Sequence, residues 1–196
     1  MPYFFHWTDP TNHWDKSLEA KQCQYQKENK ELCKRSVIIG NPYCWQHRKQ
    51  VEHVEIKTSH IPHAGKGLFA TNGTTSKAIV FRRQDPIIPY AGKFIDTAEL
   101  RHRYHQYTAP YGVFVKKDVY QDGADLRGIG TLINHQGNKK NTNTEFYVSH
   151  NPSQVKIRAT KNIPNGDELI LSYGKDYKFN QPTQYTTNRN KHWQLD

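Results

Sequence analysis

Three cysteines and one histidine lie close together in the first quarter of the chain, in the order Cys23, Cys33, Cys44 and His47. Three thiolates and an imidazole form a closed tetrahedral ligand set that suits structural zinc. The last two residues are close enough to bind one ion from a turn or a helix start, and turn residues precede them. The sequence therefore predicts one structural zinc ion, and the surrounding segment is poor enough in apolar residues to need that metal for folding.

The alternative is three reduced structural cysteines beside a surface histidine, since the chain holds 11 histidines. An odd number of cysteines argues against a disulfide scaffold and favours a reducing compartment. The pattern resembles short zinc modules of plant and giant-virus proteins that have three cysteines and one histidine and end in a Cys-Trp-Gln-His or similar run. The resemblance implies zinc and no activity. It delimits a zinc module at residues 21–50, after an N-terminal extension at residues 1–20.

Composition limits the class of protein. Lys and Arg total 28 against 18 Asp and Glu, which gives a formal net charge of +10 and a pI near 9.4. This charge favours nucleic acid, chromatin or an anionic membrane surface as a neighbour, although many solvated lysines are the plain alternative. The longest apolar runs are far shorter than the ~20 residues of a transmembrane helix. The N-terminus also lacks the basic and apolar segments of a secretory signal.

From Val54 onward, short β-branched or aromatic runs alternate with turn signals and predict several small sheets. The runs are residues 54–57, 78–81, 113–115, 145–148, 155–158 and 169–171. One helix is predicted to begin after Asp96, because an Asp N-cap with Glu99 three residues later is typical of a helix start. Its pattern continues to about Gln106, and Pro110 marks its end.

Four further groups of residues follow in order, and each is a weak signal alone. Two glycines around Lys66 let the backbone approach a ligand closely, and Tyr90 opens a Tyr-Ala-Gly run. Asn134 and His135 together offer donors and acceptors that suit a polar heterocycle. A Gly-Asp turn then leads into an apolar strand that ends at Tyr173. Taken singly, these groups are equally typical of turns, a polar loop and a packing tyrosine.

In this order and at this spacing, the four groups resemble the motifs of the SET domain, the lysine methyltransferase fold. Residues 65–69 resemble its first glycine motif and residues 90–92 its Tyr-x-Gly motif. Residues 132–135 resemble its Asn-His core, and residues 167–174 its closing Glu-Leu and Tyr motif. The resemblance covers roughly residues 54–175. It implies a mainly β fold of small antiparallel sheets with a pseudoknot and one inserted helix.

By this resemblance, the domain binds S-adenosylmethionine and methylates a lysine. The implied site residues are Gly65, Lys66, Gly67, Asn134, His135 and Trp193 for the cofactor, Tyr90, Phe146 and Leu171 for the substrate channel, and Tyr173 for catalysis. Trp193 lies in the flank 176–196 and would cover the adenine, with simple anchoring of the tail as the alternative. A tyrosine at the Phe146 or Leu171 position limits the family to one methylation. Neither residue here carries a hydroxyl, so the resemblance predicts that di- or trimethylation is permitted.

The chain departs from the family pattern at several points. Thr131-Leu132 replaces the usual Arg-Phe and Gln136-Gly137 the usual Ser-Cys, while Thr142-Asn143 stands for the Pro-Asn step after an apparent insertion. No cysteine follows Cys44, so the zinc-binding cap that some relatives carry after the domain is missing. These changes keep a second hypothesis open, in which the chain is a non-catalytic SET-like module that binds chromatin or nucleic acid.

A basic protein of this family suits a histone substrate, although a non-histone protein stays open. Because histone tails are themselves basic, the attraction must come from acidic groups or from nucleosomal DNA. Asp167, Glu168 and residues 118–125 are candidate acidic contacts, and loop solvation explains them equally well. We expect an intracellular protein of the nucleus or chromatin with no membrane contact. A homodimer, a viral or protist origin, and a location in an infected cell or virion also remain open.

Overall fold

The computed structural model describes residues 6–8, 15–17, 20–38, 40–104, 109–137, 139–150 and 153–174. The strands are β1 (His6–Thr8), β2 (Asp15–Ser17), β3 (Ala20–Gln22), β4 (Ser36–Ile38), β5 (Val54–Thr58), β6 (Lys66–Ala70), β7 (Ile79–Phe81), β8 (Pro86–Pro89), β9 (Lys93–Ile95), β10 (Gly112–Lys116), β11 (Val119–Asp122), β12 (Asn134–His135), β13 (Thr144–His150), β14 (Ser153–Ala159), β15 (Ile163–Pro164) and β16 (Ile170–Leu171). The helices are α1 (Trp45–Val51) and α2 (Thr97–Tyr104), with short 3-10 turns at Ile129–Leu132 and Lys139–Asn141. None of the helices formed by these residues has the length and apolar character needed to cross a membrane.

The strands form several small sheets, and all but one of the pairings are antiparallel. Two-stranded sheets join β1 to β2, β3 to β4, β5 to β6 and β7 to β15. Three-stranded sheets have the orders β13-β14-β8 and β10-β11-β9. The parallel pair is β12 with β16. The predicted mainly β architecture of small antiparallel sheets is therefore confirmed.

The main core lies around β14. Val155, Ile157 and Ala159 alternate along this strand and are fully buried, as expected when one face of a strand packs against the interior. Ile88 from the neighbouring strand β8 and Leu68 from β6 pack in the same cluster. The six predicted runs all overlap strands of the structure, whereas β6, β8, β9 and β11 are not among those runs.

The inserted helix begins as predicted and is attached to the body by buried polar groups. The Asp96 carboxylate accepts the backbone N–H of Glu99 at 2.7 Å, which caps α2. From the end of the helix, the Tyr104 hydroxyl and the Arg103 guanidinium donate to the fully buried Asp122 carboxylate, at 2.8 and 3.0 Å. Helix α2 is described as far as Tyr104, and the predicted continuation to Gln106 lies outside the described residues.

The parallel pair places one part of the chain inside a loop of another. Asn134 is opposite Ile170 in the β12–β16 register. On the other side of β16, Asn143 accepts the backbone N–H of Ile170 at 2.7 Å and donates to the carbonyl of Glu168 at 2.8 Å. The Thr144 hydroxyl also donates to the carbonyl of Ile170. Strand β16 thus runs between two segments that precede it, as the predicted pseudoknot requires.

Replacing Asn143 by alanine should destabilise the fold strongly. The variant leaves two buried backbone groups without a partner, at ~1–3 kcal/mol each, so we expect a loss of roughly 2–6 kcal/mol in the free energy of unfolding. Urea denaturation measures this loss. Asn162→Ala is the matched control, because its side chain accepts the Arg83 N–H at an exposed position and should change stability by less than ~0.5 kcal/mol. Equal losses in the two variants would contradict the role of Asn143.

Candidate functional site

The four predicted metal ligands come together between β3, β4 and the start of α1. Cys44 is the N-cap of α1 and His47 lies in its first turn, which brings both side chains to one place. The ligand atoms of Cys23, Cys33, Cys44 and His47 all lie within 4.8 Å of one another. The sulfurs of Cys44 and Cys23 are 3.4 and 3.6 Å from Nδ1 of His47.

This cluster fits a single zinc ion. Bonds of ~2.0–2.3 Å to one tetrahedral ion place its ligands roughly 3.3–3.8 Å apart, close to the two sulfur–nitrogen distances observed here. A backbone N–H of Arg35 lowers the pKa of the Cys33 thiol, which favours a thiolate, whereas burial raises the pKa of Cys23. Burial and the charges of Arg35 and Lys27 lower the pKa of His47 and favour the neutral imidazole that binds metals.

Tyr25 is a supporting residue that the sequence pattern did not reveal. Its ring stacks on His47, with the ring centroids 3.7 Å apart and the planes nearly parallel. This stacking fixes the orientation of the imidazole toward the sulfurs. Only its position two residues after Cys23 could have drawn attention to it.

A second cluster of predicted residues is organised by the buried carboxylate of Glu168. This carboxylate accepts the Ser59 hydroxyl and the His60 backbone N–H, both at 2.7 Å, and the side-chain amide of Asn134 at 3.1 Å. A side chain at Gly67 would overlap it, so glycine is required at that position. The hypothesis that Glu168 attracts a basic substrate is therefore wrong, because its carboxylate is buried and already hydrogen-bonded.

The predicted cofactor residues lie around this carboxylate. The Asn134 amide also donates to the carbonyl of Lys66 at 3.1 Å, which ties β12 to the first glycine motif. Gly65 has a φ of +71°, a left-handed conformation that favours glycine. The Lys66 amine points away from the core and donates to the Thr58 hydroxyl at 3.3 Å. The structure therefore brings Gly65, Lys66, Gly67 and Asn134 together in one place.

His135 connects this cluster to Tyr173. Its Nδ1 accepts the backbone N–H of Tyr173 at 2.8 Å, and the two rings are 5.1 Å apart. Burial lowers the pKa of His135, in agreement with a neutral ring that accepts through Nδ1. The Tyr173 hydroxyl donates to the carbonyl of Ile133 at 2.6 Å. The catalytic candidate is thus held at both its backbone and its hydroxyl by the Asn-His segment.

Tyr173 opens onto a small cavity that is lined in part by four aromatic side chains. Its lining residues are Tyr90, Ala109, Pro110, Tyr111, Gly112, Val113, Gly130, Thr131, Phe146 and Tyr173. The rings of Tyr90 and Phe146 meet edge to face, 5.3 Å apart. The Tyr90 hydroxyl donates to the carbonyl of Tyr111 at 2.9 Å, and burial, with the neighbouring Tyr173, raises its pKa well above the usual range. Tyr90 is therefore a neutral phenol at physiological pH.

One predicted channel residue, Leu171, is not among these lining residues. Leu171 is buried in the core opposite His135 in the β12–β16 register, so its place in a substrate channel stays a prediction. Trp193 and the rest of the flank 176–196 lie outside the described residues. Conversely, Tyr111 lines the cavity although the sequence pattern around it indicated only the end of a helix. Its position after an Ala-Pro turn was the available signal.

The comparison with family models decides the assignment. The SET domain model matches residues 65–174, which includes all four motif groups. This chain belongs to the SET-domain family. A search of curated proteins found no match.

Two solved structures of a polycomb complex agree with this assignment at the level of the fold. The polycomb repressive complex 2 of Chaetomium thermophilum is similar over 64% of this chain, with 22% identity and a TM-score of 0.52. A humanized mutant of that complex is similar over 63%, with 23% identity and a TM-score of 0.51. A Cryptosporidium SET8 structure gives 25% identity over 64% of this chain and 58% of its own, with a TM-score of 0.46. This SET-domain chain spans only 16% and 15% of the two polycomb chains.

The zinc assignment makes a direct prediction for Cys44. Cys44→Ser removes one thiolate, so we expect the purified variant to lose its zinc and the segment around α1 to unfold at a lower temperature. Elemental analysis for zinc and proteolysis of residues 21–50 measure the two effects. Histidine at position 63 is exposed, so His63→Ala should keep the metal, whereas His47→Ala should lose it. A wild-type protein purified without zinc would contradict the assignment.

Proposed function

We propose that this SET-domain protein is an S-adenosylmethionine-dependent protein-lysine N-methyltransferase. The observation that carries the proposal is the position of the Tyr173 hydroxyl, which is held against the Ile133 carbonyl while Tyr173 lines an aromatic cavity. The next residue after Ile133, Asn134, belongs to the cluster with Gly67 and Glu168. One short segment of chain thus connects a site for a polar cofactor to a site for an aliphatic side chain.

The channel residues suit a lysine side chain. The rings of Tyr90, Tyr111 and Phe146 give apolar walls for its four methylenes. Aromatic faces also attract a methylated ammonium through cation–π interactions. The channel can therefore hold the methylated lysine as well as the unmethylated one. Because Tyr90 stays neutral and donates to a backbone carbonyl, it closes the wall without placing a charge beside the amine.

The reaction requires a neutral amine in line with the methyl group. A lysine amine has a pKa of ~10.4 in water, and burial in the aromatic channel disfavours its charged form. When bound, the cofactor supplies the methyl group on a positively charged sulfonium. The Tyr173 hydroxyl and the Ile133 carbonyl can then orient the amine, so that alignment contributes much of the rate acceleration. No strong base is needed at this position.

The cofactor would lie against the first glycine motif and β12. Gly65 and Gly67 let the backbone approach it closely, and the Lys66 amine is exposed beside them. Asn134 and the neutral His135 offer polar atoms for its adenine and amino-acid portions. Both side chains already hold backbone groups of the site, so they are fixed in place before binding. Trp193 from the flank 176–196 is proposed to cover the adenine.

We propose histones as the substrate, with di- or trimethylation permitted because Phe146 carries no hydroxyl. Asp122 and Glu168 are buried in hydrogen-bonded positions, so neither can attract a basic tail. The +10 charge of the chain makes nucleosomal DNA the stronger source of attraction. A role in the nucleus or on chromatin follows from that substrate. The proposed domains remain the zinc module at 21–50, the catalytic unit at 54–175 and a flank that covers the channel.

The first test of the proposal is methyl transfer with Tyr173→Phe beside the wild type. Labelled S-adenosylmethionine and core histones, free and in nucleosomes, are the probes. We expect labelling of one histone by the wild type and a loss on the order of 10²–10³-fold in the variant, since it lacks the orienting hydroxyl. Cofactor affinity, measured by calorimetry, should change little.

Tyr120→Phe is the matched control, because Tyr120 packs against the exposed Phe114 on the β10-β11-β9 sheet. It should retain full activity. Cofactor binding without labelling of histones would redirect the search to a non-histone substrate. Absence of cofactor binding would favour the non-catalytic module.

Phe146→Tyr should lower the number of methyl groups that are added. The new hydroxyl would project into the channel beside Tyr90 and hold a water where a second or third methyl must fit. Mass spectrometry of the product should change from di- or trimethyl to monomethyl lysine with the first transfer retained. The control is Phe114→Tyr at an exposed position, which should leave the product unchanged. A wild type that stops at monomethyl lysine would contradict this prediction.

A further inference from the structure

Residues 40 and 41 of the zinc module make one of its contacts with the catalytic unit. A side chain at Gly40 would overlap the backbone carbonyl of Leu126 and come within 2.7 Å of the backbone nitrogen of Gly128. The next residue, Asn41, is buried, and its side-chain amide donates to the carbonyl of Arg127 at 3.2 Å. The two segments therefore approach each other backbone to backbone, with one side-chain hydrogen bond across the contact.

Within the zinc module, residues 40–44 are held by the segment that carries the metal ligand Cys23. The backbone N–H of Gln24 donates to the carbonyl of Pro42 at 2.8 Å. The backbone N–H of Cys44 donates to the sulfur of Cys23 at 3.2 Å. The geometry of residues 40–44 thus depends on the cluster of ligands next to it.

On the catalytic side, Asn41 holds a residue with a strained backbone. Arg127 has a φ of +46°, a left-handed conformation that is unfavourable for a residue with a side chain. Its guanidinium lies 4.1 Å from the ring centroid of Tyr111, and its Nε donates to the carbonyl of Ala124 at 3.1 Å. Tyr111 is part of the channel wall and accepts the Tyr90 hydroxyl. The strained residue therefore packs directly against the channel.

The same loop leads into a second part of the wall. The carbonyl of Gly128 accepts both the backbone N–H and the hydroxyl of Thr131, at 2.9 and 2.8 Å. Thr131 and Gly130 line the cavity. A side chain at Gly128 would overlap Ala91, which follows Tyr90. Residues 126–128 are thus enclosed between the zinc module on one side and the Tyr-Ala-Gly motif on the other.

We propose that Asn41 is a positioning residue for the lysine channel, through which the zinc module sets the conformation of residues 126–131 and the ring of Tyr111. The proposal rests on the methyltransferase function proposed above. Asn41 acts through the N–H donor of its side-chain amide, because the side-chain oxygen has no hydrogen-bond partner within the described residues. Contact with the cofactor site is not involved. The zinc module therefore affects the KM for the peptide substrate rather than the affinity for the cofactor.

Asn41→Ala tests this coupling. We expect the KM for a peptide substrate to rise about tenfold, the equivalent of ~1.4 kcal/mol, which is the size of one lost buried hydrogen bond. The cofactor affinity and the zinc content should stay within twofold of the wild type. Amide hydrogen exchange should become faster in residues 126–131. Asn41→Asp should act in the same way, because a carboxylate cannot donate to the Arg127 carbonyl.

Asn29→Ala is the matched control within the same module, since the Asn29 side chain is exposed and accepts the backbone N–H of nearby Glu31. It should change neither the KM nor the exchange. Chelation of zinc from the wild type should accelerate exchange in residues 126–131 as Asn41→Ala does.

The coupling is overturned if Asn41→Ala leaves exchange in residues 126–131 unchanged, or if it raises the KM for peptide and the cofactor dissociation constant equally. A wild type that transfers no methyl group would refute the proposed function instead. In that case the hydrogen-exchange experiment still decides whether Asn41 and the zinc ligands stabilise residues 126–131.

Discussion

The carboxylate of Glu168 holds together the segments from which the site is built. It binds the hydroxyl of Ser59, the backbone of His60 and the amide of Asn134, which lie far apart in the sequence. A buried carboxylate is costly unless donors satisfy it, so these three contacts form together or not at all. Gly67 is restricted to glycine by the same carboxylate. One charged group therefore fixes the separation between the first glycine motif, the Asn-His segment and the closing strand.

Local patterns predicted a large part of this structure. Alternation of apolar residues located the strands around Val155 and Ile157, and the Asp96 cap located the start of α2, because both signals act between residues close in sequence. The metal cluster was also predictable, since few residue types bind zinc and their number matched one ion. The order of the motifs then predicted the pseudoknot and the residues on each side of it.

The remaining features depend on contacts between distant residues. Glu168 looked like an exposed acid of a turn, and nothing in the sequence showed that Asn134 would donate to it. Leu171 resembles a channel residue by its spacing from Tyr173, and this role stays a prediction for a side chain that is buried in the structure. Asn41 and Arg127 form their hydrogen bond across a large sequence separation. A sequence displays which groups can form such bonds, and only the fold determines their partners.

The contact between Asp122 and α2 shows how a polar helix can be attached to a domain. Helix α2 has few apolar residues, and it is held by the donors of Arg103 and Tyr104 on one fully buried carboxylate. Such pairs are sensitive to the loss of either partner, because the remaining charge stays buried. They also impose one orientation on the helix, which an apolar contact would specify less strictly. Tyr111, one of the rings of the channel wall, follows this helix in the sequence.

The threaded position of β16 has a consequence for the biosynthesis of the protein. Because this strand pairs with β12 and is also enclosed by Asn143 and Thr144, it must enter a loop whose two sides were synthesised earlier. Contacts of such large sequence separation form slowly, since the entropy of closing the loop precedes any gain in energy. Tyr173 therefore reaches its position only after the ribosome has released most of the domain. A nascent chain interrupted before that point would contain the metal-binding segment and several sheets. Its channel would be incomplete and accessible to chaperones.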